Sequence, residues 1–573
     1  MIIDDYQEIR IGDGGRDKLV RWLDDNFGIV VLISLPGIRM TEFLQRRESE
    51  AILWTFEHTD IKEFDAESRL ILIEKWLKAG SDGFDDTQEL YKQKIHWINI
   101  ISNLVDEGII PSLPLFILMI IQQLEAGGTA YGFSGGYGTL YEIIIKDVLK
   151  GAAKSPSDLD IKLNYLTHFA HELFLKEKRG LSEMALTDWH AWYLKEFPCE
   201  LVLNEVLAEF LSIGVFNQCQ TDYGFKYGYY YCFFLARYLS RYLSKDREAM
   251  SIVKMMSGNL HINVYANTML FLCHMSNDPE ILELIMNTVR AHFSTVKEYN
   301  LIDTPSVLPQ RIIIQRKPWS LPEDPDQEML KKLRRMDEEK PPRELQEIVT
   351  AEPENLEDKV LIGLINDVNS AHNMIRICGQ ILRNFYGSMH GTEQIMILRE
   401  CYSLCMRMVK VLYEYLEKDK ELIAENLAEI IQHRFPRDTS DDVEKNVRRS
   451  LQGIALAIPF GLIKHVALSF GLASLKPTFD KYAKEESLSV SHQLIDIAAR
   501  LECYFDEFPE GDVLRIQKEL KRGFIGQEVL KMIVFEHFSF FKRDIKVRQR
   551  VCEVLEISAT QPRFITAHEK SKI

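Results

Sequence analysis

No G-x-x-x-x-G-K-[ST] run occurs anywhere in the 573 residues. The backbone cradle that such a loop offers to nucleotide phosphates is therefore missing from this chain. Also missing are a nucleophile elbow, an H-E-x-x-H pair and paired carboxylates placed for glycoside chemistry, so no hydrolytic site is legible. The nine cysteines include no C-x-x-C pair. Cys401 and Cys405 lie one helical turn apart without a zinc-spaced histidine partner, and His372, His433, His465 and His492 have no metal-ligand spacing. The cysteines read as buried apolar residues of a reduced, intracellular protein. Basic charge is in deficit: the net charge is -16, which disfavours nucleic acid and anionic membranes as partners. No basic n-region opens the chain, because Asp4 and Asp5 stand there. The longest apolar run, Ile109 to Ile121, is broken by Pro111, Ser112 and Pro114, and it falls short of the roughly 20 residues a bilayer requires. The expectation is a cytoplasmic protein with no membrane and no nucleic-acid partner.

What is present is ordinary globular material, 46% hydrophobic and 27% charged, long enough for about four domains. The first residues, Met1-Ile2-Ile3-Asp4-Asp5, form a short apolar run ending in two carboxylates. A Walker B strand ends this way, with the first carboxylate (Asp4) holding Mg²⁺ and the second (Asp5) polarising the attacking water. The same five residues also fit a buried strand leading into an acidic turn. A glycine-rich turn, Gly12-Asp13-Gly14-Gly15, precedes an amphipathic helix from Arg16 to Phe27, with Leu19, Val20, Leu23 and Phe27 on one face. Ile29 to Ser34 reads as a strand buried on both faces, as in a parallel sheet. Ala51 to Phe56 is a candidate third strand, and Asp65 to Leu77 a helix with Ala66, Leu70, Ile73 and Leu77 inward. This order is that of the second half of an α/β nucleotide-binding domain. Ser34 and Arg39 are then the polar sensor candidates, an arginine there being able to contact a γ-phosphate. A solvated loop arginine is the equal alternative.

Leu90 to Glu107 reads as helix. Gly108-Ile109-Ile110-Pro111 follows as a turn that opens a buried helix reaching Leu124, and Tyr137 opens another reaching Leu149. Residues 161 to 243 have the pattern of a winged helix. Helices are expected at Leu163 to Phe174, Ser182 to Phe197 and Leu201 to Leu211, then a hairpin turning around Asp222-Tyr223, then an aromatic-rich helix from Tyr229 to Leu243. The third helix has no Lys or Arg and carries Glu205 and Glu209. A recognition helix needs cationic or amide side chains, so this one is expected to pack on protein.

These pieces together resemble STAND-class signal-transduction ATPases of the NACHT and NB-ARC type. The resemblance rests on the Asp4-Asp5 strand, the strand ending in Ser34, the Gly108 to Pro111 turn and the Phe225 to Leu239 stretch. The last is the most specific, a wing strand running into aromatic-aromatic-x-Ala-Arg-Tyr-Leu. It covers about residues 1 to 245 and implies a switch, closed with ADP and opened by a ligand and ATP into an oligomer. It also implies that Pro111 sits against the nucleotide base. The chain departs from the class in lacking the phosphate loop, and in having Tyr227 and Tyr229 where some members place a histidine against the ADP phosphate. ATP or ADP with Mg²⁺ is thus expected only if a separate phosphate-loop segment completes the site, the chain being the part from Walker B onward.

Past residue 245 the pattern stays helical to 302. Residues 303 to 358 collect Pro305, Pro309, Pro318, Pro322, Pro325, Pro341, Pro342 and Pro353 around a charged stretch from Lys331 to Lys340. They read as a linker with at most a short helix. Residues 359 to 558 read as all helix, and 559 to 573 as a tail. The expected architecture is mainly α. It comprises a partial α/β P-loop ATPase core (1–80), a helical lid (81–160), a winged helix (161–245), a helical segment (246–302), the linker (303–358) and an all-α sensor or scaffold (359–558). The expected partner is a protein ligand or a second copy of the chain. The competing functional reading is a non-enzymatic helical scaffold that mediates protein–protein interaction.

Overall fold

The computed structural model describes residues 1–3, 13–32, 63–80, 87–106, 112–126, 137–150, 155–219, 221–276, 278–305, 319–322, 325–339, 356–436, 439–485, 488–502, 508–541 and 544–558. Two compact units result, Met1–Phe64 and Asp65–Ile573. The chain is mainly helical, as its periodicity predicts.

In the first unit, strand β1 (Ile2–Ile3) is followed by helix α1 (Asp13–Asn26) and strand β2 (Val31–Leu32). β1 and β2 pair in parallel, Ile2 opposite Val31 and Ile3 opposite Leu32. The terminal ammonium reinforces the pairing by donating to the Ile29 carbonyl at 2.7 Å. Helix α1 buries Val20 and Leu23, as its spacing requires. Two expectations need correction. Gly14 and Gly15 belong to the first turn of α1, not to a turn before it. The strand after Gly28 is not buried on both faces: Ile29 is 76% and Val31 43% exposed. Among the described residues of this unit, β1 and β2 are the strands that pair.

The second unit opens with helices α2 (Ala66–Gly80), α3 (Thr87–Asp106), α4 (Pro114–Ala126) and α5 (Tyr137–Lys150). Helix α6 (Pro156–Leu175), strand β3 (Gly180–Ser182), helices α7 (Glu183–Glu196) and α8 (Leu203–Ser212), strands β4 (Phe216–Cys219) and β5 (Asp222–Phe225) and helix α9 (Gly228–Tyr242) come next. Helices α10 (Arg247–Gly258), α11 (Asn263–Met275) and α12 (Pro279–Ala291) lead to α13 (Pro325–Glu339). The remainder is α14 (Leu356–Phe385), α15 (Gly391–Lys418), α16 (Lys420–Arg434), α17 (Ser440–Phe470), α18 (Lys476–Tyr482), α19 (Val490–Glu502), α20 (Glu510–Glu519), α21 (Phe524–Phe540) and α22 (Ile545–Leu555).

Local sequence explains many of these ends. Ser155, Ser182, Asp246, Asp278 and Asp544 each accept an N–H of the first turn of α6, α7, α10, α12 and α22. Such caps satisfy donors that the helix leaves open. The three-stranded sheet is antiparallel in the order β3-β5-β4. Asp222 and Tyr223 lie inside β5 rather than at the hairpin turn. Gly224 lets two strands meet closely, because a Cβ there would collide with the Arg179 carbonyl.

The C-terminal helices centre on α17, which packs against α14, α15, α16, α19 and α21. By length and composition α17 is the one described helix apolar enough to cross a membrane. Within it, Lys464 pairs with Glu502 of α19 and with Glu536 of α21, the latter at 2.9 Å. Pro459 sits inside this helix and has no N–H to offer the carbonyl four residues back. That carbonyl, Ala455, instead accepts the Tyr413 hydroxyl of α15 at 2.5 Å. At the far end of α17, Arg383 of α14 donates to the carbonyls of Leu468 and Ser469 at 2.6 and 3.0 Å. One turn earlier Gly379 admits the Ser469 backbone so closely that a Cβ would clash.

Among the described residues eight cysteines are free thiols. Most are buried as expected, but Cys219 on the hairpin is exposed and Cys199 partly so.

Candidate functional site

All five candidate site residues, Asp4, Asp5, Ser34, Arg39 and Pro111, lie outside the described residues. What is described is the framework beside them. Parallel pairing of β1 and β2 sends both strands out at one edge of the sheet. It is from that edge that the chain runs on from Ile3 and from Leu32. No group of three or more His, Cys, Asp or Glu among the described residues is placed to hold a metal ion.

Next to Pro111 the chain is well tied. Ser112 is buried, and its hydroxyl accepts Arg69 Nη1 of α2 at 3.3 Å. Arg69 is itself 1% exposed, a placement that composition does not reveal. A buried guanidinium must be held by partners, so this arginine fixes the start of α4 relative to the first turn of α2. That turn is heavily bonded. Asp65 caps it by accepting Ser68 N–H at 2.7 Å, and the Ser68 hydrogen bonds hold its carboxyl below the usual range. Asp337 of α13 accepts the Ala66 N–H at 2.7 Å. Arg334 of α13 makes a fork onto Glu67 at 2.7 and 2.8 Å.

Helix α4 then meets the start of α9. Phe116 of α4 packs edge-on against Tyr227 and Tyr229, with ring centroids 6.1 Å away in each case. Two places that the sequence singled out separately, the segment after Pro111 and the hairpin-to-helix stretch, are thereby in contact. Glu142 of α5 takes Lys146 at 2.7 Å and faces His274 of α11 at 3.8 Å. His274 first, then Lys146, draws the Glu142 carboxyl down to about 2. Arg237 of α9 is half-buried, and burial is the main influence lowering its pKa.

Residues 156–242 share an aromatic core. Tyr165 stands edge-on to Trp189 and Tyr193 at 4.8 and 4.9 Å, and Phe169 contacts Trp189, Phe216 and Phe225. The Tyr165 hydroxyl and His190 Nδ1 share a hydrogen bond of 3.0 Å. Such edge-to-face contacts add to the area these rings bury. Helix α8 turns its acidic side to α6: Glu209 takes Lys162 at 2.7 Å, and Asp158 takes the same ammonium at 3.1 Å. Burial would discharge Lys162, but Glu209 and Asp158 outweigh it and its pKa is raised. The surface of α8 therefore offers no cation to a phosphate backbone.

Residues 180–235 match the family Novel STAND NTPase 4. The matched span starts at β3, takes in α7, α8 and the β4–β5 hairpin, and stops within α9. It coincides with the stretch whose wing-strand and aromatic-helix pattern carries the resemblance most specifically, and it supports a STAND-class NTPase. No curated protein matches the chain.

Proposed function

We propose that this chain is the regulatory, oligomerising and ligand-sensing part of a STAND-like signal-transduction ATPase, cytoplasmic and engaged in prokaryotic defence or stress signalling. The carrying observation is the family match over residues 180–235. In this reading residues 161–245 are a winged helix. The element order α6-β3-α7-α8-β4-β5 and the sheet order β3-β5-β4 support that description. The acidic α8, paired to Lys162, makes it a protein-packing module and not a DNA reader. Contact of Phe116 with Tyr227 and Tyr229 supports a lid that works with this module. The helices from α14 onward are the sensor for a protein ligand.

In the same reading Asp4 holds Mg²⁺, Asp5 polarises water, and Ser34, Arg39 and Pro111 face the nucleotide once a phosphate-loop segment is supplied. The described residues provide neither a phosphate cradle nor a metal cluster, so no catalytic step is assigned to this chain alone. The test is an equilibrium titration of the chain with labelled ATP and ADP in the presence of Mg²⁺. The expected result is no saturable binding. Tight binding that disappears in Asp4→Ala would overturn the incompleteness of the site.

A further inference from the structure

Helix α13 lies in the proline-rich stretch that reads as a linker, yet it is anchored at two ends to different parts of the second unit. On one side it packs on α21. Leu333 and Met329 are buried, Lys332 takes Glu536 at 2.7 Å, and the same ammonium lies 4.9 Å from the Phe540 ring. Glu536 continues to Lys464 at 2.9 Å, and Lys464 to Glu502, so the anchor joins a charge chain across α21, α17 and α19. Burial works against the Glu536 charge, but Lys464 and then Lys332 outweigh it and hold its carboxyl at about 2. Just before α13, Leu321 N–H and the Ser558 carbonyl bond at 3.0 Å, and Trp319 packs on Phe535 at 4.8 Å.

On the other side α13 grips the first turn of α2. Arg334 forks onto Glu67, and Asp337 accepts Ala66 N–H. Arg69, on that same turn, reaches Ser112 at the start of α4. We propose that α13 is a releasable strap that couples the C-terminal helices to the turn at Ser112, and that the α2 end is the one that lets go. The asymmetry of the two anchors gives the direction. On the α21 side Lys332 and Glu536 are 43% and 19% exposed, and the largely covered Lys464 holds Glu536 from behind. The Arg334–Glu67 pair is exposed, and exposed pairs are weak and salt-screened. A ligand docking on the C-terminal helices that shifts α21 carries α13 with it and withdraws Asp337 and Arg334 from α2 together. The strap depends on this geometry and stands whether or not the chain binds nucleotide.

Hydrogen–deuterium exchange of the full chain tests it. In Arg334→Glu, amide exchange over residues 66–74 and 112–120 accelerates about tenfold or more, while residues 156–242 keep their protection. The paired change Arg334→Glu with Glu67→Arg restores slow exchange. Wild-type protein moved from about 50 mM to about 0.5 M NaCl shows the same local acceleration, which gives a readout even if the variant does not fold. Unchanged exchange at α2 in the variant and in high salt would overturn the strap. So would acceleration spread equally over residues 156–242, or failure of the charge swap to restore protection.

Discussion

The aromatic module of residues 156–242 and helix α13 are held by opposite means. The module stacks Tyr165, Phe169, Trp189, Tyr193, Phe210, Phe216 and Phe225 into one dry cluster. Helix α13 has two apolar anchors, Met329 and Leu333, and otherwise relies on Lys332, Arg334 and Asp337. Burial is non-directional and insensitive to salt, whereas ion pairs at a surface are directional and screened. A chain built in this way keeps one part rigid and makes another detachable. The module is also where the family resemblance resides, which fits a rigid element whose shape must not vary.

Changes inside the two regions sharpen that contrast. The largest effect is expected from Phe169→Ala, since Phe169 is fully buried among three aromatic neighbours. It lowers stability by about 3–5 kcal/mol, read as a shift of the urea midpoint of the module's aromatic signal. In the C-terminal helices, Tyr413→Phe leaves the Ala455 carbonyl without its donor opposite Pro459. The expected loss is about 1–3 kcal/mol, measured by denaturant unfolding. Gly379→Val drives a side chain into the Ser469 backbone and is expected to cost about 1–3 kcal/mol, whereas a surface glycine such as Gly363, with open space around it, tolerates the same change in the same assay.

A smaller, pH-dependent effect comes from the histidines of the module. Burial lowers His168 and His171 from the ordinary 6.5 to about 4. Between those values the unfolded chain binds more protons than the folded one, so stability falls as pH drops from 6.5 towards 4 and is flat above 6.5. Thermal melts across that window show it, and His168→Gln flattens part of the slope. Glu142 and Glu536, held at about 2 against an ordinary 4.5, add stability that is present above 4.5 and is lost as pH falls from there towards 2. The smallest global effect is that of Arg334→Ala, whose melting temperature stays at the wild-type value while the first turn of α2 loses protection.

Much of the helical layout is legible in the sequence, because apolar spacing at 3.6 residues marks the face that packs. Leu70 and Ile73 in α2, and Leu163 and Leu166 in α6, are inward as their periodicity requires. Ser182 caps α7 where a cap residue precedes the run. The misses have physical causes. The stretch around helix α13 reads as a linker because prolines flank it and Met329, Leu330, Leu333 and Met336 are set among many charged residues. The burial of Arg69 is not signalled by its sequence neighbourhood and shows only in the tertiary structure. Asp222 and Tyr223 carry turn propensity, yet pairing with β3 and β4 holds them in a strand. Of the candidate site, Asp4, Asp5, Ser34, Arg39 and Pro111 rest on motif alone. The contact between Phe116 and Tyr227 is the part that geometry adds.

The proposed function makes this chain the downstream part of a STAND-like ATPase, with a phosphate loop encoded nearby. Reading the coding DNA on the 5′ side of the Met1 codon tests it most directly. The expected result is a Gly-Lys-Ser or Gly-Lys-Thr loop between a strand and a helix, either in frame or in the adjacent gene. Upstream sequence with no such loop would contradict it and leave a helical scaffold in its place.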